Sequence, residues 1–80
     1  MKAKIKSIIK SLAAAYPLIL RYLQVDYSLN TGYARVEVRN TINPRVLEYD
    51  ILGLAKDAGL RCTIDHNPGS IHYRLEFEKA

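Results

Sequence analysis

One cysteine, Cys62, is all the chain offers, so no internal disulfide can staple it. Small secreted domains usually depend on such staples, and a reducing, cytoplasmic setting is therefore expected. No uninterrupted apolar run approaches the ~20 residues that span a bilayer. The opening MKAKIKSIIKSLAAAYPLIL sets basic residues ahead of apolar ones, as a secretory leader does. Lys10 and Ser11 interrupt its apolar run and Pro17 divides it again, so it parses better as an amphipathic helix. A glycine-rich phosphate loop is missing, and so is any cluster with metal-ligand spacing. Cys62 and His66 fall four apart on a strand-like segment, which separates their backbones by roughly 13 Å, too far to share a metal or a proton. Asp65 with His72 makes one exposed pair without a nucleophile or an oxyanion site. The expectation is a protein that is not an enzyme, with no cofactor, no metal, no small-molecule substrate and no membrane partner.

Acidic residues are scarce at the start: none precedes Asp26, whereas Lys2, Lys4, Lys6 and Lys10 crowd the first ten positions. Twelve Lys and Arg against eight Asp and Glu give a formal charge of +4 and a pI near 9.4. Such a balance favours acidic partners. With 80 residues, 49% hydrophobic and 25% charged, the chain reads as one domain spanning residues 1–80. A core of that size buries roughly 60 to 65% of the surface that the unfolded chain exposes, so self-association into a homo-oligomer is a natural way to add stability.

Periodicity supplies the elements. Ile5, Ile8, Ile9 and Leu12 recur at helical spacing beside Lys2, Lys6 and Lys10, which predicts a helix from Lys2 to about Ala15, stopped by Pro17. Leu18 to Leu29 alternates, with Leu23, Val25, Tyr27 and Leu29 inward and Tyr22, Gln24, Asp26 and Ser28 outward. Asn30, Thr31 and Gly32 read as a turn that uses positive φ, closing a hairpin in which Tyr27 opposes Ala34 and Asp26 lies near Tyr33. In the next strand Ala34, Val36 and Val38 face inward. Asn43-Pro44 is a helix start, Leu47, Ile51, Leu54, Ala55 and Ala58 form the stripe, and Gly59 is the C-terminal cap. Leu60 to His66 alternates again. Asn67-Pro68-Gly69-Ser70 has type II turn chemistry, and a tight hairpin around it would oppose Arg61 to Glu76 and Asp65 to His72. The last strand turns Ile71, Tyr73, Leu75 and Phe77 inward.

The order α-β-β-α-β-β, together with the echo of NTGYARVEVRN in NPGSIHYRLEFEK, reads as an internal repeat. The fold expected is α+β: two α-β-β units forming a four-stranded sheet with both helices on one face, ferredoxin-like in permuted connectivity. Neither unit buries its apolar face alone, whereas two can share one core.

Three surfaces could carry function. The basic helix edge of Lys2, Lys4, Lys6 and Lys10 suits phosphate, where each contact releases counterions. The uncovered sheet face gathers Tyr33, Arg35, Arg39, His72 and Arg74, and exposed aromatics ringed by cations are how four-stranded sheets stack single-stranded RNA. Acidic neighbours are numerous on that face, however, and the RNP signature is absent. Tyr49 and Leu52 lie off the second helix's stripe beside Gly53, which suits a protein interface. A small basic non-enzymatic module binding nucleic acid, RNA or DNA, or a ribonucleoprotein is the first expectation. A protein-interaction or oligomerisation domain, acting through the open sheet face or the second helix, is the alternative.

Overall fold

The computed structural model describes residues 1–16, 20–39 and 42–80, with residues 20–26 as backbone only. Helix α1 covers Lys2–Ala15, strand β1 Leu20–Tyr27, β2 Thr31–Val38, helix α2 Pro44–Asp57, β3 Leu60–Asp65 and β4 His72–Lys79. Hydrogen-bonded neighbours run β1-β2-β4-β3, each pair antiparallel.

Each helix is set by local chemistry. In α1, Ile5, Ile8, Ile9 and Leu12 are buried, the i, i+3, i+4, i+7 face of one helix. Asn43 caps α2: its side-chain oxygen accepts the Arg45 N–H at 3.0 Å, and Pro44 takes the first helical position, where no amide hydrogen is needed. Gly59, at φ +74°, turns the chain out of α2 and straight into β3.

Both helices pack on the same face of the sheet, because their buried residues join one core. Ile5, Leu12, Leu47 and Ile51 meet Ala34, Val36 and Val38 from β2 and Tyr73, Leu75 and Phe77 from β4. The strict alternation of buried and exposed positions along β4 leaves its other face open. A truncation such as Leu47→Ala at this centre should cost ~2–5 kcal/mol.

Of the expected fold, the equivalence of the two α-β-β units is corrected. All four strands join one open antiparallel sheet in the order β1-β2-β4-β3, with residues 20–26 of β1 described as backbone only. The internal repeat does not survive as structure, for the two hairpins are built differently. The first closes through Leu29 and Asn30, with Ser28 N–H donating to the Thr31 carbonyl at 2.7 Å and the two hydroxyls 2.8 Å apart. Gly32 belongs to β2, opposite Tyr27 and Phe77, so Tyr27 does not oppose Ala34. Among the described residues only Gly59 and Gly69 have positive φ, and the turn expected at Asn30 and Gly32 does not use it. The register of β1 also shifts between Tyr22 and Gln24.

The second hairpin is wider than expected. Asn67 to Ser70 does form the Pro-Gly turn: Ser70 N–H donates to Asn67 O at 3.0 Å, and Gly69 sits at φ +84°. The strands, however, pair Arg61 with Glu78, Thr63 with Glu76 and Asp65 with Arg74. A type II turn splays the strands it joins against their right-handed twist, so it does not close a two-residue hairpin, and the ladder begins further out. The slip is by two residues, which preserves the inward and outward faces. The stop at Pro17 and the inward or outward directions of Leu18, Tyr22, Leu23, Gln24, Val25 and Asp26 lie outside what is described.

Candidate nucleic-acid interface

Helix periodicity divides the four lysines. At 100° per residue, Lys2, Lys6 and Lys10 fall within about 80° of arc, while Lys4 lies about 160° from their centre. Lys4 instead lines the groove between the helices with Ser7, Leu54, Asp57 and Ala58, and its ammonium lies beside Gly59. The Lys2 ammonium sits 5.4 Å from the centre of the Tyr27 ring, a cation–π arrangement. Lys6 and Lys10 are exposed and have no carboxylate at ion-pair distance among the described residues.

On the open sheet face Tyr33, Arg35, His72 and Arg74 do come together on the neighbouring strands β2 and β4. Tyr33, His72 and Arg74 are nevertheless engaged with one another or with acids, while Arg35 has no ion pair among the described residues. The Arg74 guanidinium stacks 4.1 Å from the Tyr33 ring centre while its Nε–H donates to Glu76 Oε1 at 2.9 Å. His72 Nε2 approaches Glu37 at 3.9 Å, and Arg61 Nε lies 3.4 Å from Glu78. Tyr33 and His72 stand in rows four residues apart, one opposite Glu76 and the other opposite Glu37, so they share no stacking platform. The aromatic face expected for RNA stacking is corrected accordingly: one ring is covered by a guanidinium, Arg61 and Arg74 meet Glu78 and Glu76, and Asp65 lies opposite Arg74 on the same side. Arg35 is directly opposite Arg74, a like-charge pairing that the Arg74–Glu76 contact moderates. Arg39 is exposed beyond the end of β2, beside the second hairpin's loop, away from the Tyr33 row.

A shallow depression of about 420 Å³ lies on this face, walled by Tyr33, Thr63, Arg74, Glu76 and Glu78. Its carboxylates oppose phosphate. On α2, Val46, Tyr49 and Leu52 are 52%, 78% and 46% exposed, the apolar outer surface expected around Tyr49 and Leu52, now with Val46 beside them.

The titrating groups do not assemble a reactive centre. Burial pushes the Cys62 thiol up to about 11, which keeps it protonated and poorly nucleophilic. His66 is committed elsewhere: its ring stacks on Tyr73 at 3.8 Å and 5°, and Nε2 lies 2.8 Å from the Ser70 carbonyl, to which it donates. The pair expected between Asp65 and His72 is also corrected, since Asp65 opposes Arg74. Sequence reasoning missed His66 as the plug of the second hairpin, though a histidine four residues before the last turn position was its visible signal. The Tyr16 hydroxyl donates to Asp50 Oδ2 at 2.6 Å, tying the end of α1 to α2; that hydrogen bond, with burial and the Asp50 charge, raises its pKa. No group of three metal-ligating side chains occurs among the described residues, and no described helix is long and apolar enough to cross a membrane. Comparison with protein-family models gives no match, and no curated protein matches the chain.

Proposed function

We propose that the protein is a small, basic, non-enzymatic module that binds nucleic acid by its phosphate backbone, in a cytoplasmic setting. Lys6 and Lys10 are the principal contacts, Lys2 extends their row, and Lys4 contributes from the far side of α1. The observation that carries this reading is the contrast in cation availability. The α1 lysines project without carboxylate partners among the described residues, whereas Arg61 and Arg74 on the sheet are held by Glu78 and Glu76. Contacts of this kind position a phosphate chain and carry no sequence information of their own.

Fluorescence anisotropy with a single-stranded and a duplex oligonucleotide, at low and moderate salt, tests it. Binding should fall steeply with salt, and charge reversal of Lys2, Lys4, Lys6 and Lys10 to Glu should abolish it with the circular dichroism unchanged. Arg35→Ala and Arg74→Ala should have little effect. Salt-insensitive binding, or none to either ligand, would sink the proposal. The exposed Val46, Tyr49 and Leu52 favour a second reading, a protein-interaction module, whose contacts would survive salt.

A further inference from the structure

The two edges of the sheet are unlike. β1 breaks its register between Tyr22 and Gln24, an irregularity of the kind that blunts an edge. β3 has no proline, no lysine and no register break from Leu60 to Asp65. Backbone parity fixes which of its groups are free. Ala80 N–H donates to Gly59 O at 3.2 Å, so Gly59 and Ala80 form a hydrogen-bonded pair of the ladder, and Arg61, Thr63 and Asp65 follow at every second position with their main-chain groups turned toward β4. Cys62 and Ile64 turn theirs to the outer edge. Their side chains, on the helix-covered face, are only half-buried.

We infer that a second copy of the chain completes this edge, β3 pairing antiparallel with its own counterpart about a twofold axis at Thr63. Three registers let Cys62 and Ile64 hydrogen-bond outward: those centred on Cys62, Thr63 and Ile64. Centring on Cys62 sets Arg61 against Thr63 of the copy, and centring on Ile64 sets Asp65 against it. Only the Thr63 register sets Arg61 opposite Asp65 of the copy, and symmetry makes that pairing twice. Each row then alternates in sign across the joint, from Glu78 to Arg61, then to Asp65 and Arg74 of the copy. Thr63 faces its counterpart, and Cys62 faces Ile64 on the apolar side. About four main-chain hydrogen bonds form from the outward groups of Cys62 and Ile64 alone.

Helix α2 supports the same arrangement. Leu54, Asp57 and Ala58 line the groove toward α1, and Asp50 bonds Tyr16 of α1. Leu52 lies on the opposite side of the helix, so the twofold carries this half-exposed leucine toward its counterpart, while Tyr49 stays on the outer surface. This inference is independent of the nucleic-acid reading.

Sedimentation velocity from about 5 µM to about 500 µM should show a concentration-dependent dimer. Thr63→Lys sets two ammonium groups face to face at the axis while Glu76 accommodates each within its own chain. It should raise the dissociation constant at least about tenfold with the fold intact by circular dichroism. In a Cys62→Ser background, Thr63→Cys should form an interchain disulfide in a glutathione buffer, because a non-hydrogen-bonded antiparallel pair brings its Cα atoms to about 4.5 Å. Ser11→Cys in that background, on exposed α1, should not. A monomer at the highest concentration, or equal crosslinking of the two cysteine variants, overturns the inference. So does a dimer that survives Thr63→Lys and is lost in Tyr49→Lys, which would move the contact to the outer face of α2.

Discussion

Two residues, Leu29 and Asn30, close the first hairpin, and hydroxyls at its rim hold it; the second needs a Pro-Gly turn, a histidine ring laid on Tyr73 and a carbonyl cap to bridge the wider gap. In sequence the two look alike, each an Asn-x-Gly ahead of an alternating strand. The glycines do different work: Gly32 sits within the ladder, while Gly69 supplies the positive φ of a real turn. A turn's dihedral hand decides how far from it the strands can begin to pair. Matching letters therefore did not produce matching hairpins.

That difference can be broken from either side, and the second hairpin should respond more strongly. Tyr73→Ala removes a buried ring together with the surface on which His66 stacks, and should cost ~3–5 kcal/mol in urea unfolding. Gly69→Ala forces a side chain into the left-handed region although the space around it is open, so a loss of ~1–2 kcal/mol is expected, read as a shift in the same urea midpoint. If Gly69→Ala proves neutral, the turn is not what sets the width of the loop.

Alkali sharpens the same contrast. Burial raises the pKa of Cys62 from 9.0 to about 11, and burial with the nearby Glu48 charge raises that of Tyr73 above 10.0. Both groups are neutral in the fold, and their folded values exceed the unfolded ones. Their contribution to stability is thus fully present below about pH 9 and declines as pH rises through about 11. Amide exchange monitored toward that range should show loosening around Cys62 and Tyr73 before the Ser28–Thr31 turn. The smallest effect belongs to Ser28→Ala, which removes an exposed hydroxyl contact and should cost ~0.5 kcal/mol or less in thermal unfolding.

Much of this architecture is written in the residues, and the exceptions share a cause. The helix bounds followed from the Ile5, Ile8, Ile9, Leu12 stripe and from the Asn43-Pro44 start, signals that act over one or two turns of chain. Register did not. Shifting β4 by two residues against β3 leaves every face unchanged, so alternation is blind to it, and opposite charges could be matched in either alignment. The break between Tyr22 and Gln24 carries no proline or glycine to announce it. For the candidate site, the availability of Lys6 and Lys10 was legible from the dearth of nearby acids. The stacking of Arg74 on Tyr33 was not, because it depends on which strands become neighbours across the middle of the sheet.

That middle seam also orders events in time. The β1/β2 and β3/β4 pairs are closed by nearby residues, whereas Val36 finds Tyr73 thirty-seven positions later. Hairpins form in ~1–10 µs, but a pairing that spans so much chain has to overcome its loop-closure entropy before any contact repays it. Zipping of β2 onto β4 should therefore be the slow step of folding, with α1 and α2 consolidating over the joined strands. Until that seam closes, the apolar faces of both hairpins stand open to other chains, and the speed of one long-range meeting sets how long the nascent protein is exposed to misassembly.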